Sequence, residues 1–204
     1  MEEDKMVEMK IYKPDEVMEL IVDPLNDFLV KDASSLADPE MRWILPNIVA
    51  LTDELEKNGC EIVIAADSHH SEDEELERFP PHCMKGTWGA EVVDELQRFV
   101  KNDNLVIKNT TNAFMGTNLE ERLARKRPKI VVITGVCSDI CVIQAVITLS
   151  GLSEKFGIEK IIVPKDCITT FGDESYSAKL KDEMAFNILG ATPKVEVIKT
   201  QEEI

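Results

Sequence analysis

The stretch that most restricts the fold of this chain runs from Ile130 to Val146, Ile-Val-Val-Ile-Thr-Gly-Val-Cys-Ser-Asp-Ile-Cys-Val-Ile-Gln-Ala-Val. Ile130 to Thr134 are all β-branched, and such a run reads as a strand buried on both faces, the habit of a parallel sheet. Gly135 breaks the run, and Val142, Ile143, Val146 and Ile147 then recur at helical spacing. A strand, a sharp turn and a helix start therefore meet at Cys141. A thiol at such a place lies near first-turn N–H groups, whose partial positive charge favours thiolate over thiol.

Further short apolar runs at residues 20–22, 61–66, 105–107, 160–163 and 195–198 predict five more strands. Helical spacing recurs at residues 43–57, stopped by Asn58-Gly59, and again at 90–100 and at 119–127 before Pro128. A last helix is expected at 175–189, with Gly190 as its C-cap, and a short extended piece at residues 9–12. Residues 31–39, 67–89, 109–117 and 166–173 read as loops. Alternating strand and helix predicts a Rossmann-like α/β fold, a three-layer α/β/α sandwich around a mainly parallel six-stranded sheet. The expected organisation is one domain over residues 1–204, with residues 1–16 a peripheral lead-in. Ligands of such sheets gather beyond the carboxyl ends of the strands. Asp23, Asp67, Lys108 and the turn from Gly135 to Cys141 all stand at such ends.

Composition removes several classes of function. The net charge is −16, with acids spread along the chain, so nucleic acid and anionic membranes are not expected partners. No apolar run approaches the ~20 residues of a membrane span, and the opening Met-Glu-Glu-Asp-Lys has neither the basic nor the apolar part of a signal peptide. Cysteines at 60, 83, 137, 141 and 167 form no CxxC repeat, and an odd count suits reduced thiols in the cytoplasm.

A thiol at 141, a carboxylate at 23 and an ammonium at 108 make a nucleophile, a proton shuttle and a charge partner. Each has a plainer reading. A buried cysteine is usually a small hydrophobe, and Cys60, Cys83 and Cys167 keep that reading. Cys137 and Cys141 have three residues between them, which is not the usual redox spacing. An Asp after a strand often caps the next turn, a role that Asp27 can fill in Asp23-Pro-Leu-Asn-Asp-Phe28. The long loop after the second strand carries Asp67-Ser-His69, Glu75 and Phe79-Pro-Pro-His82. Residues two apart on an extended segment face one way, so Asp67 and His69 can share an ion with His82, while His70 faces away. Glu75 is a further candidate, and this donor set suits zinc, iron or manganese. The alternative is a polar surface loop with incidental histidines.

Taken in order, Val22 to Phe28, Asp67-Ser-His69, Phe79-Pro-Pro-His-Cys-Met-Lys-Gly-Thr-Trp-Gly-Ala90, Lys108-Asn-Thr-Thr-Asn-Ala-Phe114 and Gly135-Val-Cys-Ser-Asp-Ile-Cys-Val142 resemble the isochorismatase-like cysteine hydrolases. The resemblance covers residues 17–198, and its Asp-x-His and Pro-Pro-His-Cys segments are similar to those of the nicotinamidases. It implies Asp23, Lys108 and Cys141 as a catalytic triad, and Asp67, His69 and His82 as metal ligands, with Glu75 where many members carry another histidine. It also implies a cis peptide between Val136 and Cys137, an oxyanion hole from the N–H groups of Cys137 and Cys141, and Phe28 and Phe79 flanking a pyridine ring. The implied activity is hydrolysis of nicotinamide to nicotinate and ammonia through a Cys141 thioester, serving NAD salvage, with a bound divalent metal, zinc first. The implied assembly is a homo-oligomer. The alternatives are an amidase for another small carboxamide or ureido compound, and a catalytically silent member that binds a ligand.

Overall fold

The computed structural model describes residues 12–204. Of the expected lead-in and its extended piece, residues 1–11 lie outside the described residues. The strands are β1 (Val17–Val22), β2 (Glu61–Asp67), β3 (Leu105–Lys108), β4 (Ile130–Val136), β5 (Lys160–Pro164), β6 (Ile168–Thr169) and β7 (Val195–Ile198). The helices are α1 (Asn26–Leu29), α2 (Leu45–Lys57), α3 (Asp94–Gln97), α4 (Leu119–Lys126), α5 (Ile143–Phe156) and α6 (Ala178–Gly190). The strands form one parallel sheet in the order β3-β2-β1-β4-β5-β7, with β6 pairing the end of β4.

Every residue of β1 and β4 is buried, because each face of the sheet carries its own apolar layer. Ile21, Ile64 and Val132 pack with Ile48, Leu51 and Leu55 of α2 on one side. Leu20, Val63 and Ile133 pack with Leu123 of α4 and Val146 and Leu149 of α5 on the other. Such double burial is why these strands read as continuous apolar runs. Strand order reverses between β1 and β4, where α/β sheets open a crevice at their carboxyl ends. The two strands come close there. Gly135 has φ +111, and a Cβ on it would stand 2.0 Å from the Val22 carbonyl oxygen, so only glycine fits.

The structure departs from the sequence reading in four places. The sheet has seven strands rather than six, because two residues of the expected loop at 166–173 form β6, opposite Gly135 and Val136. Residues 90–100 hold only the short α3. Asn26 N–H donates to the Glu91 carbonyl, Val92 bridges Leu25, and Val93 N–H donates to the Pro24 carbonyl, which commits this backbone to extended pairing. Gly190 belongs to the last turn of α6 and Ala191 is the cap residue. Cys141 does not open a helix directly. Residues Ser138–Val142 make a wider π turn, with Val142 N–H donating to the Cys137 carbonyl at 3.1 Å, and α5 follows. Turns of this kind recur at functional sites. No helix among the described residues is long and apolar enough to cross a membrane.

An acid lies among the buried polar groups of the sheet. Glu19 of β1 is fully buried, accepts one hydrogen bond from Thr134 Oγ1 at 3.1 Å, and leaves Oε2 without a partner. Burial pushes its carboxyl from an ordinary 4.5 up to about 8. Because the folded value is the higher, its contribution is complete below pH 4.5 and is lost as the pH rises toward 8. That loss is about 1.4 kcal/mol per pH unit within the window. Glu19→Gln keeps the shape and the acceptor, so urea unfolding at a series of pH values should find the variant increasingly more stable than the parent from pH 5 to 8. A difference independent of pH would contradict a neutral, buried Glu19.

Candidate active site

The register of the parallel strands sets the site. Asp67 at the end of β2 lies opposite Lys108 at the end of β3, and Val22 lies between Ala65 and Gly135. Along β3, Val106 points in and Ile107 points out, so the period of two brings Lys108 inward. Its Nζ donates to Asp67 Oδ1 at 2.5 Å and to the Thr110 carbonyl at 3.2 Å. It also stands 2.8 Å from Asp23 Oδ2 and 3.7 Å from Cys141 Sγ. Asp23, at φ +50, turns its other oxygen to accept the Asp67 N–H at 3.0 Å. All four side chains are buried.

The charges are strongly coupled. Burial, and then the like charge of Asp67, push the Asp23 carboxyl up to about 7 against the pull of Lys108. Burial would also raise Asp67, but the Lys108 ammonium holds it below the ordinary carboxylate value. Burial would lower Lys108, yet Asp23, Cys141 and Asp67 hold it well above its usual range. Burial pushes the Cys141 thiol well up; Lys108 opposes this, and the two aspartates add to it. The thiolate expected from a helix start is therefore outweighed by burial, and the thiol needs a base to leave its proton with.

Beside this cluster the structure brings together Asp67, His69, Glu75 and His82, whose donor atoms lie within 4.8 Å of one another. His69 Nε2 is 3.7 Å from Asp67 Oδ1, and Glu75 Oε1 is 3.9 Å from the Nε2 of each histidine. These separations are too long for hydrogen bonds. Asp67 Oδ2 and His69 Nε2 are buried with no hydrogen-bond partner, an arrangement that is costly unless something else satisfies them. His82 Nδ1 is 2.8 Å from the Pro80 carbonyl, which can only accept, so the proton sits on Nδ1 and the Nε2 lone pair faces the cluster. The donor set therefore fits a divalent transition metal. His70 is exposed, as its place in the loop implied.

The sequence reading missed Asp73. Its Oδ2 stands 3.3 Å from His69 Nδ1 and accepts from His70 N–H at 2.8 Å, while Oδ1 accepts from Asn109 at 3.0 Å. Nothing in an irregular loop marks such a fold-back. The pocket between the two clusters is walled by Phe28, Phe79, Phe171, Leu36, Ile140 and Thr111. Phe28 and Phe79 flank His82, at ring distances of 5.4 and 6.3 Å. Phe171 arrives because β6 pairs with β4, and a two-residue strand has no period to read. The free space is about 30 Å³, on the scale of one water molecule. A roomier cavity of about 700 Å³ lies at the opposite end of the sheet, around Val17, Leu55 and Cys60, away from both clusters.

The Val136–Cys137 peptide is cis. The turn after it is held from α6, where Asp182 accepts from Ser138 at 2.6 Å and from Thr169 of β6 at 3.0 Å. Burial pushes the Cys137 thiol to about 12. Asp27 does not cap α1; its carboxylate accepts the Cys83 N–H at 2.6 Å across the site.

Residues 18–193 match the family model of the isochorismatase domain. The chain is 32% identical over 167 residues to the Bacillus subtilis protein described as uncharacterized isochorismatase family protein PncA, covering 78% of this chain and 88% of that one. The crystal structure of nicotinamidase PncA from Bacillus subtilis superposes with a TM-score of 0.77 at 27% identity, covering 90% of this chain and 99% of that one. N-carbamoylsarcosine amidase from Thermoplasma acidophilum superposes with a TM-score of 0.74 at 25% identity, covering 93% and 98%. With the sheet, the switch-point crevice and the motif order on the same residues, this chain belongs to the isochorismatase family.

Proposed function

We propose that the chain is a nicotinamidase, hydrolysing nicotinamide to nicotinate and ammonia and so serving NAD salvage. The observation that carries this reading is the buried Lys108 ammonium set between Asp23, Cys141 and Asp67, three residues that line an aromatic-walled pocket. An amide is a poor electrophile with a poor leaving group, so the chemistry needs a strong nucleophile and an acid for nitrogen.

Asp23 takes the Cys141 proton, and Lys108 balances the resulting negative charge. The thiolate bonds to the carboxamide carbon as the carbonyl π pair moves to oxygen. The N–H groups of Cys137 and Cys141 receive that oxygen, a contact worth ~100-fold or more in rate per donor. Asp23 returns the proton to nitrogen, the C–N bond breaks, and ammonia leaves a thioester. Asp23 then draws a proton from water as the water oxygen bonds to the thioester carbon; the C–S bond breaks, Asp23 passes that proton to the departing Cys141 sulfur, and the acid released ionises to nicotinate. Phe28, Phe79 and Phe171 hold the ring flat and exclude bulk water. Asp67, His69, Glu75 and His82 would hold a divalent ion, zinc first, which would supply Lewis acidity to the pocket.

A second reading, an amidase for another small carboxamide or ureido compound, is supported by the comparable likeness to N-carbamoylsarcosine amidase. Three aromatic walls favour a flat ring over an aliphatic ureido acid. A silent ligand-binding member has no need of Asp23, Lys108 and Cys141 together.

Three outcomes are expected. Cys141→Ala abolishes ammonia release from nicotinamide while calorimetry still records binding; undiminished release would remove the covalent mechanism. Treatment with a strong chelator lowers release and added zinc, iron or manganese restores it; release indifferent to chelation would leave the four-donor cluster a structural feature. Lys108→Met leaves two buried carboxylates facing each other, and urea unfolding should show a loss of about 3–5 kcal/mol together with loss of turnover. A variant as stable as the parent would mean that the ammonium does not hold the cluster together.

A further inference from the structure

The loop that carries His82 is fastened from outside the donor cluster. Cys83 has φ +44, a left-handed backbone that a non-glycine residue adopts only when its surroundings impose it. Its N–H, which is the peptide link to His82, donates to Asp27 Oδ2 at 2.6 Å, and both residues are buried. On the other side Cys83 accepts from His69 N–H at 2.9 Å, and Lys85 N–H donates to the His69 carbonyl at 2.9 Å. One short ladder therefore ties the backbone of both histidines to the peptide that Asp27 grips. Asp27 is itself held in place. Gly89 packs against its carboxylate so closely that a Cβ there would fall 2.2 Å from Oδ2. Asn26, its neighbour, donates to the Trp88 carbonyl at 2.9 Å, and Phe28, the next residue on, walls the pocket.

We propose that Asp27 is a positioning residue for the candidate metal site, fixing the His82–Cys83 peptide and through it the spacing of His69 and His82. This rests on the reading of Asp67, His69, Glu75 and His82 as metal ligands, and adds the group that sets their geometry. Asp27 touches neither substrate nor metal. Its charge-assisted bond to a buried amide is of the stronger kind, and outer residues that orient ligands typically govern affinity by 10- to 100-fold.

The test is zinc affinity of the full chain, by competition with a chromophoric chelator, together with the visible spectrum of the cobalt-loaded protein. Asp27→Ala should weaken zinc binding by about 10- to 100-fold and change the cobalt bands. Asp27→Asn keeps an acceptor and should recover part of the loss. Gly89→Ala displaces the same carboxylate without removing it and should weaken zinc in the same way. Because both changes act on one contact, the Asp27→Asn, Gly89→Ala pair should lose less than the product of the two single losses. Near-ultraviolet dichroism and urea midpoints identify the variants that are folded. Folded variants with the zinc affinity and cobalt spectrum of the parent would overturn the role of Asp27 alone. A parent that binds neither metal would overturn the metal reading and this proposal with it.

Discussion

A lysine ammonium buried among acids is the interaction on which the rest of this site depends. Lys108 reaches the carboxyl end of the sheet fully covered, and an isolated charge there would lose several kcal/mol of hydration. Asp67 and Asp23 offset that loss from two neighbouring strands. The same ammonium lies within reach of the Cys141 sulfur. Asp67 gives Oδ1 to Lys108, with His69 Nε2 3.7 Å from the same oxygen, and turns Oδ2 toward His82 Nε2 at 4.0 Å. The candidate nucleophile, its candidate base and the candidate metal ligands are consequently one electrostatic unit, and a change in any of them is felt by the others.

Topology explains why the unit forms where it does. Reversal of strand order between β1 and β4 leaves a crevice, and parallel register places Asp23, Asp67, Lys108 and the turn after Gly135 around it. Gly135 lets β4 approach the Val22 carbonyl, closer than any side chain permits. From α6, Asp182 joins the Ser138 turn to β6, and that strand carries Phe171 over the pocket. Scaffold and site are therefore fixed by the same few contacts at the carboxyl end of the sheet.

Much of this was written in local pattern. Runs such as Ile130 to Thr134 announce strands because both faces are buried, and the acids and base that end such runs announce the site. Features set by distant pairing were not. β6 is too short to have a period, and residues 91–93 carry helical spacing but are drawn into pairing with Pro24 to Asn26. Asp73 and Asp27 act across folded-back loops, so neither has a spacing that marks it. A helix start favours thiolate, but burial, with Asp23 and Asp67 beside it, pushes the Cys141 thiol up against the pull of Lys108.

The central claim is that Cys141, served by Asp23 and Lys108, attacks a carboxamide. Acid quenching of the protein during turnover of nicotinamide, followed by mass analysis of the peptide containing Cys141, addresses it most directly. The expected result is a nicotinoyl group on the Cys141 sulfur that disappears on treatment with hydroxylamine, as a thioester must. Steady release of ammonia with Cys141 unmodified at every quench time, and turnover retained after that thiol is alkylated, would contradict it.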